Sequence, residues 1–225
     1  MAWPAREPVY QGKSVSAWIA ELYADKDLTA HFALVEMGDP AVPYLVRELK
    51  RDNIPAHRGN VAYVLNDIGP RAWPAVPWLI PSLSRPAYQP EQFSAVTALG
   101  SIGLAASNAV PFLVQTLSAE DFNVRMQAAL ALAKIGLSTP NAVAQLTTLL
   151  DEPRPRVSAA AALALWRLQP GDPAAFDRVK ELVLSNPEKD VRSSVAFDLG
   201  DLGAAAKVFT PMLKYAIKDS DTRVQ

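Results

Sequence analysis

Between Glu120 and Leu150 the sequence EDFNVRMQAALALAKIGLSTPNAVAQLTTLL places its apolar residues at a helical period that breaks once. Val124, Ala128, Leu132 and Ile135 follow at steps of four, four and three, which puts them on one stripe of a helix with about 3.6 residues per turn. Gly136 comes next. A glycine just past the last apolar position supplies the left-handed backbone that ends many helices and that a Cβ resists. Pro140 and Asn141 open a second helix with apolar positions at Val143, Leu146, Leu149 and Leu150. Neither helix buries its stripe alone, so the pair requires neighbours.

Copies of the pair supply them. Ile68-Gly69, Ile102-Gly103, Ile135-Gly136, Leu168-Gln169 and Leu202-Gly203 recur at intervals of 34, 33, 33 and 34 residues, with Met37-Gly38 a step of 31 upstream. Leu65, Leu99, Leu132, Leu165 and Leu199 share one repeat position, and Val124, Val157 and Val191 another. Second helices open on Ala41-Val42-Pro43, Ala75-Val76-Pro77 and Ala109-Val110-Pro111. Two helices per period of this length predict an all-α solenoid, in which each unit packs only on its neighbours. About six units follow, near 25–50, 51–84, 85–118, 119–150, 151–184 and 185–218. Residues 219–225 read as the start of a seventh, with Val224 falling 33 residues after Val191. An uncovered last unit predicts self-association through that end.

Residues 1–24 stand outside the repeat. Pro4, Pro8 and Gly12 mark an irregular lead-in, after which Ser14 or Ser16 caps a helix with apolar positions Val15, Trp18, Ile19 and Leu22. This helix is expected to cover the open face of the first unit, with Trp18 as its anchor. Gly12-Lys13-Ser14 before a helix has the look of a phosphate loop, but Glu7 stands where the motif needs its first glycine and no strand precedes it. Unit two carries Pro74, Pro77 and Pro81, so its second helix is expected to start near Pro77 and to kink near Pro81. Unit three opens with the long connection RPAYQPEQ, which contains Pro86 and Pro90. In unit five Gln169 replaces the turn glycine, and Pro170-Gly171-Asp172-Pro173 predicts a different turn.

Half of the residues are hydrophobic, and small ones run together as in Ala159-Ala160-Ala161-Ala162, which suits closely packed helices. No segment alternates like a strand. A net charge of −1 provides no basic field of the kind that binds phosphate backbones, so nucleic acid is not an expected partner. The absence of cysteine excludes disulfides and thiolate metal sites. No apolar run approaches the roughly 18 residues of a membrane span, and the start MAWPAREPVYQ lacks the apolar core of a signal peptide. These features favour a soluble, cytoplasmic chain without naming its compartment.

The opening Asp190-Val191-Arg192, the run Leu199-Gly200-Asp201-Leu202-Gly203 and the second-helix start Ala75-Val76-Pro77-Trp78-Leu79 resemble the HEAT repeats of the phycobilisome-lyase-like type, within the armadillo-like helical superfamily. The resemblance covers about residues 25–225. It implies a right-handed α-α superhelix with an N-terminal capping helix, second helices lining the concave side, and a role in holding a protein partner. A few members of that family are enzymes: bilin lyases or their chaperones, deoxyhypusine hydroxylase, and related helical-repeat DNA glycosylases.

The residues argue against the hydroxylase and glycosylase classes and leave a bilin lyase that does not hold its substrate covalently open. Resemblance to deoxyhypusine hydroxylase would bring His-Glu dipeptides as iron ligands, whereas His31 and His57 are followed by Phe32 and Arg58. Two separated histidines without cysteine do not make a zinc or iron site, and both are expected on helix surfaces. A glycosylase wants a basic groove, and covalent bilin attachment wants a cysteine. Asp67, Asp198 and Asp201 read as solvated charges near helix ends. No nucleophile and base stand at a meaningful spacing, so no enzyme, metal or cofactor is expected.

One constellation rises above this background. The residue after the second-helix proline is Tyr44, Trp78 and Phe112 in three consecutive units, then Gln145, Arg178 and Met212. On a wheel with Leu45 at zero, Val42 falls near 60°, Leu49 near 40° and Tyr44 near −100°, about 150° from the centre of the apolar stripe. The three rings are therefore candidate partner-binding anchors on the concave face, with Arg47, Glu48 and Gln115 as a polar rim. Packing against an adjoining unit or the N-terminal cap is the competing use of the same position. The expected function is a non-catalytic scaffold binding a protein or peptide. The alternatives are a bilin-lyase-type accessory holding a flat apolar ligand, and a structural fragment of a larger protein.

Overall fold

In the computed structural model, which describes residues 7–24, 28–51, 54–85 and 89–216, a short antiparallel hairpin, β1 (Val9–Tyr10) and β2 (Lys13–Ser14), leads into α1 (Val15–Ala24). Helix pairs follow: α2 (Thr29–Met37) with α3 (Val42–Arg51), α4 (Pro55–Ile68) with α5 (Val76–Leu79), and α6 (Gln89–Ile102) with α7 (Val110–Thr116). Then come α8 (Phe122–Ile135) with α9 (Pro140–Thr148), α10 (Pro155–Leu168) with α11 (Pro173–Leu184), and α12 (Lys189–Asp198) with α13 (Thr210–Ala216). The first helices stack in sequence, α2 on α4, α4 on α6, and so on to α10 on α12. The second helices form a parallel layer, in which α3 meets α5, α7 meets α9 and α11 meets α13. This is an all-α solenoid.

The stripe spacing explains the core. Val124, Ala128, Leu132 and Ile135 of α8 are all buried, as are the repeat-position leucines Leu65, Leu99, Leu132, Leu165 and Leu199. Each such leucine removed from water contributes roughly 1.5–3 kcal/mol. The first helices from α2 to α10 also bury their flanks, because each has a neighbour on both sides. Small residues make that possible: a Cβ built on Gly100 of α6 would stand 3.0 Å from the Cα of Ala131 in α8. In α10 every residue from Val157 to Trp166 is buried, which accounts for its alanine run.

The punctuation follows the residues. Gly136 adopts φ 72°, ψ 14°, the left-handed cap expected of it. Asp121 Oδ1 accepts from the amides of Asn123 and Val124 at 2.7 and 3.1 Å, and Thr139 and Asp172 cap α9 and α11 in the same way. The second helix of unit two starts at Val76 and tightens into a 3₁₀ turn at Ile80–Ser84, as its prolines require. Unit five ends α10 at Leu168 with Gln169 at φ −136°, ψ 79°, outside the left-handed region, and Asp172 rather than a glycine sets the next helix.

Two expectations need correction. A strand is present after all, the β1–β2 hairpin, because Gln11 and Gly12 form its tight turn and Trp18 Nε1 donates to Tyr10 O at 2.9 Å. Within the hairpin Lys13 pairs with Glu21 at 2.7 Å, in keeping with the rejection of a phosphate loop there. The helical stretch Gln89–Thr116 is, among the described residues, long and apolar enough to cross a membrane. It is a core element instead: Gly103, at φ 72°, ends α6 within it, and half of its apolar window is buried in the fold. The lead-in before Glu7, Pro86 and the start of a seventh unit at 219–225 lie outside the described residues, as does the side chain of Asp201.

Candidate functional site

One repeated side-chain position carries polar bonds at the edge of each first helix, and in units two, three and four these cross to a neighbouring unit. Arg58, Gln92, Arg125, Ser158 and Arg192 share it, ten residues before the Ile or Leu that ends each first helix. Helix C-termini leave carbonyls without intrahelical donors; Arg58 and Gln92 answer those at the end of the preceding second helix, whereas Arg125 and Arg192 bind loop carbonyls just ahead of their own helix. Arg58 Nη1 donates to Leu49 O, Gln92 Nε2 to Leu83 O at 2.8 Å, and Arg125 Nη1 to Ala119 O and Glu120 O at 2.8 and 2.9 Å. Arg192 Nη1 donates to Asn186 O at 2.8 Å, whereas Ser158 accepts from Arg178 Nη2 at 2.9 Å.

Two of these arginines also reach an acid in the next unit. Arg58 Nε lies 2.7 Å from Glu91 Oε1, and Arg125 Nη2 lies 3.0 Å from Glu152 Oε1. The first pair is deeply buried. Arg58 Nη2 donates further to Ser82 Oγ at 3.0 Å and to Trp78 O at 3.3 Å, while Ser82 Oγ donates to Glu91 Oε1 at 2.6 Å. One guanidinium thus joins units one, two and three and holds the backbone that carries Trp78. Sequence reasoning missed it. The only signal was the arginine in Asp190-Val191-Arg192 and its copy Asn123-Val124-Arg125, which marks the position but not its burial.

The three aromatic candidates part company. Trp78 and Phe112 keep 37% and 38% of their surface exposed, as their helical angle predicts. Tyr44, at 2% exposed, is buried and does not join a ladder of open rings. The reason is α1, which packs on α3 and brings Ser16 Oγ within 3.1 Å of Arg47 Nη2. Arg47 also stands 5.2 Å from the Tyr44 ring and 3.4 Å from Glu48 Oε1, so the residue that meets the N-terminal cap also touches its two neighbours in α3. Trp78 has a cation of its own, with Lys50 Nζ 4.5 Å from its ring centroid.

Phe112 and Gln115 line one groove of about 310 Å³ between the ends of the unit-two and unit-three second helices. Leu83, Ser84, Gln89 and Gln92 form its near side, and Thr116, Ser118, Ala119, Glu120 and Asp121 its far side. Among the described residues its lining holds carboxamides, hydroxyls and two carboxylates, and no lysine or arginine. Trp78 does not line it.

The histidines also depart from expectation. His31 is buried, not surface-exposed, with Nε2 2.8 Å from Asp67 Oδ2 and its ring 4.6 Å from that of Tyr63. Asp67 is therefore a partner for a buried ring and not merely a solvated charge; its Oδ1 accepts from Asn66 Nδ2 at 2.7 Å. His57 stacks on Tyr23 at 3.9 Å. Among the described residues no three His, Asp or Glu side chains converge as a metal site.

A family model described as HEAT repeats matches residues 76–166 and 136–200, together more than half of the chain. No curated protein matches significantly. Among solved structures, the complex of CpcE and CpcF of phycocyanin lyase from Nostoc sp. PCC7120 superposes with a TM-score of 0.65 at 22% identity, over 95% of this chain and 84% of that one. The archaeal HEAT-like repeats protein from Thermococcus onnurineus NA1 gives 0.54 at 13% identity, over 94% and 92%. An engineered protein gives 0.55 at 24% identity, over 82% and 92%. At these identities the likeness is one of fold.

Proposed function

Because the chain belongs to the HEAT-repeat family, whose repeats suggest a scaffold or binding role, we propose that it is a non-catalytic scaffold that holds a protein or peptide along its second-helix face. Trp78 and Phe112 are the anchors and Gln115 contributes to the rim. The observation that carries this reading is the pairing of two half-exposed aromatics at equivalent positions of consecutive units, one of them walling a groove. Rings with few rotatable bonds are effective anchors, and truncating the strongest costs about 2 kcal/mol or more. Tyr44, Arg47 and Glu48 serve the N-terminal cap in this reading, not the partner.

Peptides selected from a displayed random library against the whole chain test it. Selected peptides should bind about tenfold or more weakly to Trp78→Ala, with unchanged far-UV circular dichroism. Failure to select any peptide sensitive to Trp78 or Phe112 rejects the reading. A second reading, an accessory that holds a flat apolar ligand such as a bilin, draws on the partial exposure of Trp78 and on the likeness to the CpcE and CpcF complex. A bilin absorption shift on mixing, lost in Trp78→Ala, supports that reading; an unchanged spectrum rejects it.

A further inference from the structure

The groove beside Phe112 sits at one of the two units whose shared edge position is not arginine; in the other, unit five, Arg178 reaches Ser158 instead. Units two, four and six hold arginine at the shared edge position, and unit three holds Gln92. Gln92 keeps the bond from Nε2 to Leu83 O at 2.8 Å but brings no cation. Its side chain is only 5% exposed, it lines the groove, and no described residue donates to its Oε1. Where Arg58 and Arg125 meet an acid of the next unit, this groove instead presents Glu120 and Asp121 across from Gln92.

Among the described residues, no lysine or arginine lines the groove beside those acceptors. Arg125, the arginine nearest in sequence on the far side, is committed to two carbonyls and Glu152. Arg85, on the near side, lies 3.8 Å from Glu91. Asp121 uses Oδ1 to cap α8, which fixes its carboxylate in place. Phe112 adds an aromatic wall.

Resting on the second-helix-face reading, we propose that this groove takes an arginine side chain from the bound partner segment, which supplies the guanidinium that units two, four and six carry themselves. A planar fork of five donors fits several carboxamide and carboxylate acceptors at once and stacks on a ring, whereas an ammonium offers a point charge. Charge-assisted hydrogen bonds of this kind are about twice as strong as neutral ones.

The probe is N-acetyl-arginine methylamide, titrated into the isotope-labelled whole chain and followed at the side-chain amides of Gln92 and Gln115 by NMR. Saturable shifts are expected, with the uncharged citrulline counterpart binding about tenfold more weakly. Gln92→Arg installs the guanidinium within the chain and should abolish the shifts. Asp121→Asn keeps the helix cap, removes the charge and should weaken the probe several-fold, which tests the groove even where Gln92→Arg fails to fold. Unsaturable shifts, equal binding of both probes, or undiminished binding in folded Gln92→Arg overturn the assignment. Trp78-dependent peptides with no arginine requirement also overturn it while leaving the face reading intact. A saturable arginine probe without any Trp78-dependent peptide overturns the face reading alone.

Discussion

Arg58 and Glu91 form a buried ion pair 2.7 Å long across the boundary between units two and three, with Ser82 bridging both side chains. Removing one partner leaves an uncompensated charge. Glu91→Ala should therefore destabilise the chain by about 3–5 kcal/mol, read as a lower urea midpoint. The double replacement Arg58→Met with Glu91→Leu should cost markedly less than Glu91→Ala alone, since apolar side chains of similar size do not need the partner. Equal losses for the single and double variants would show that the pair does not act as a unit.

Gly100 and Gly200 share one repeat position and should respond to alanine with opposite signs. At Gly100 the new Cβ meets Ala131 Cα at 3.0 Å and its Cβ at 3.1 Å, so α6 and α8 must separate. A net loss of about 1 kcal/mol is expected there. At Gly200 no described residue stands within 4 Å, and Gly200→Ala should gain about 0.4–1 kcal/mol by restricting the unfolded chain. Melting temperatures of the two variants decide the matter.

Gly136→Val should cost about 1 kcal/mol or more, because φ 72° is a conformation that a β-branched residue resists. The space around Gly136 is open, its built Cβ coming no nearer than 3.9 Å to Ala133 O. Backbone strain alone is then responsible. Unchanged thermal stability would remove the left-handed turn as a determinant of the unit.

Tyr44→Ala and Trp78→Ala should separate stability from binding. Tyr44 is buried beneath the cap and its truncation should cost about 3–5 kcal/mol, as for other large core aromatics. Trp78 is half-exposed, so its truncation should leave helicity and midpoint nearly unchanged while weakening selected peptides. A large loss of helicity in Trp78→Ala would make it a core residue.

Most of the fold was legible because it is local. The spacing of Val124, Ala128, Leu132 and Ile135 sets the buried face of α8, and the Ile-Gly ladder repeats that face at each period. Gly136 and the prolines of unit two mark turns by their backbone geometry, which depends little on what lies around them. The candidate site was legible only in part. A helical wheel places Trp78, Phe112 and Tyr44 at one angle, but it holds no information on what covers each of them.

The sequence by itself determined an all-α repeat, the capping role of α1 with Trp18 inside it, and the outward angle of the second-helix aromatics, all consequences of period and propensity. Tertiary structure decided which rings stay open. It buried Tyr44, tied Arg47 to Ser16 of α1, and left Trp78 and Phe112 accessible. It likewise drew His31 onto Asp67 and Arg58 onto Glu91, pairs 36 and 33 residues apart. The physical reason is that burial of a charged or aromatic side chain depends on the neighbouring unit, and only stacking brings that unit within reach.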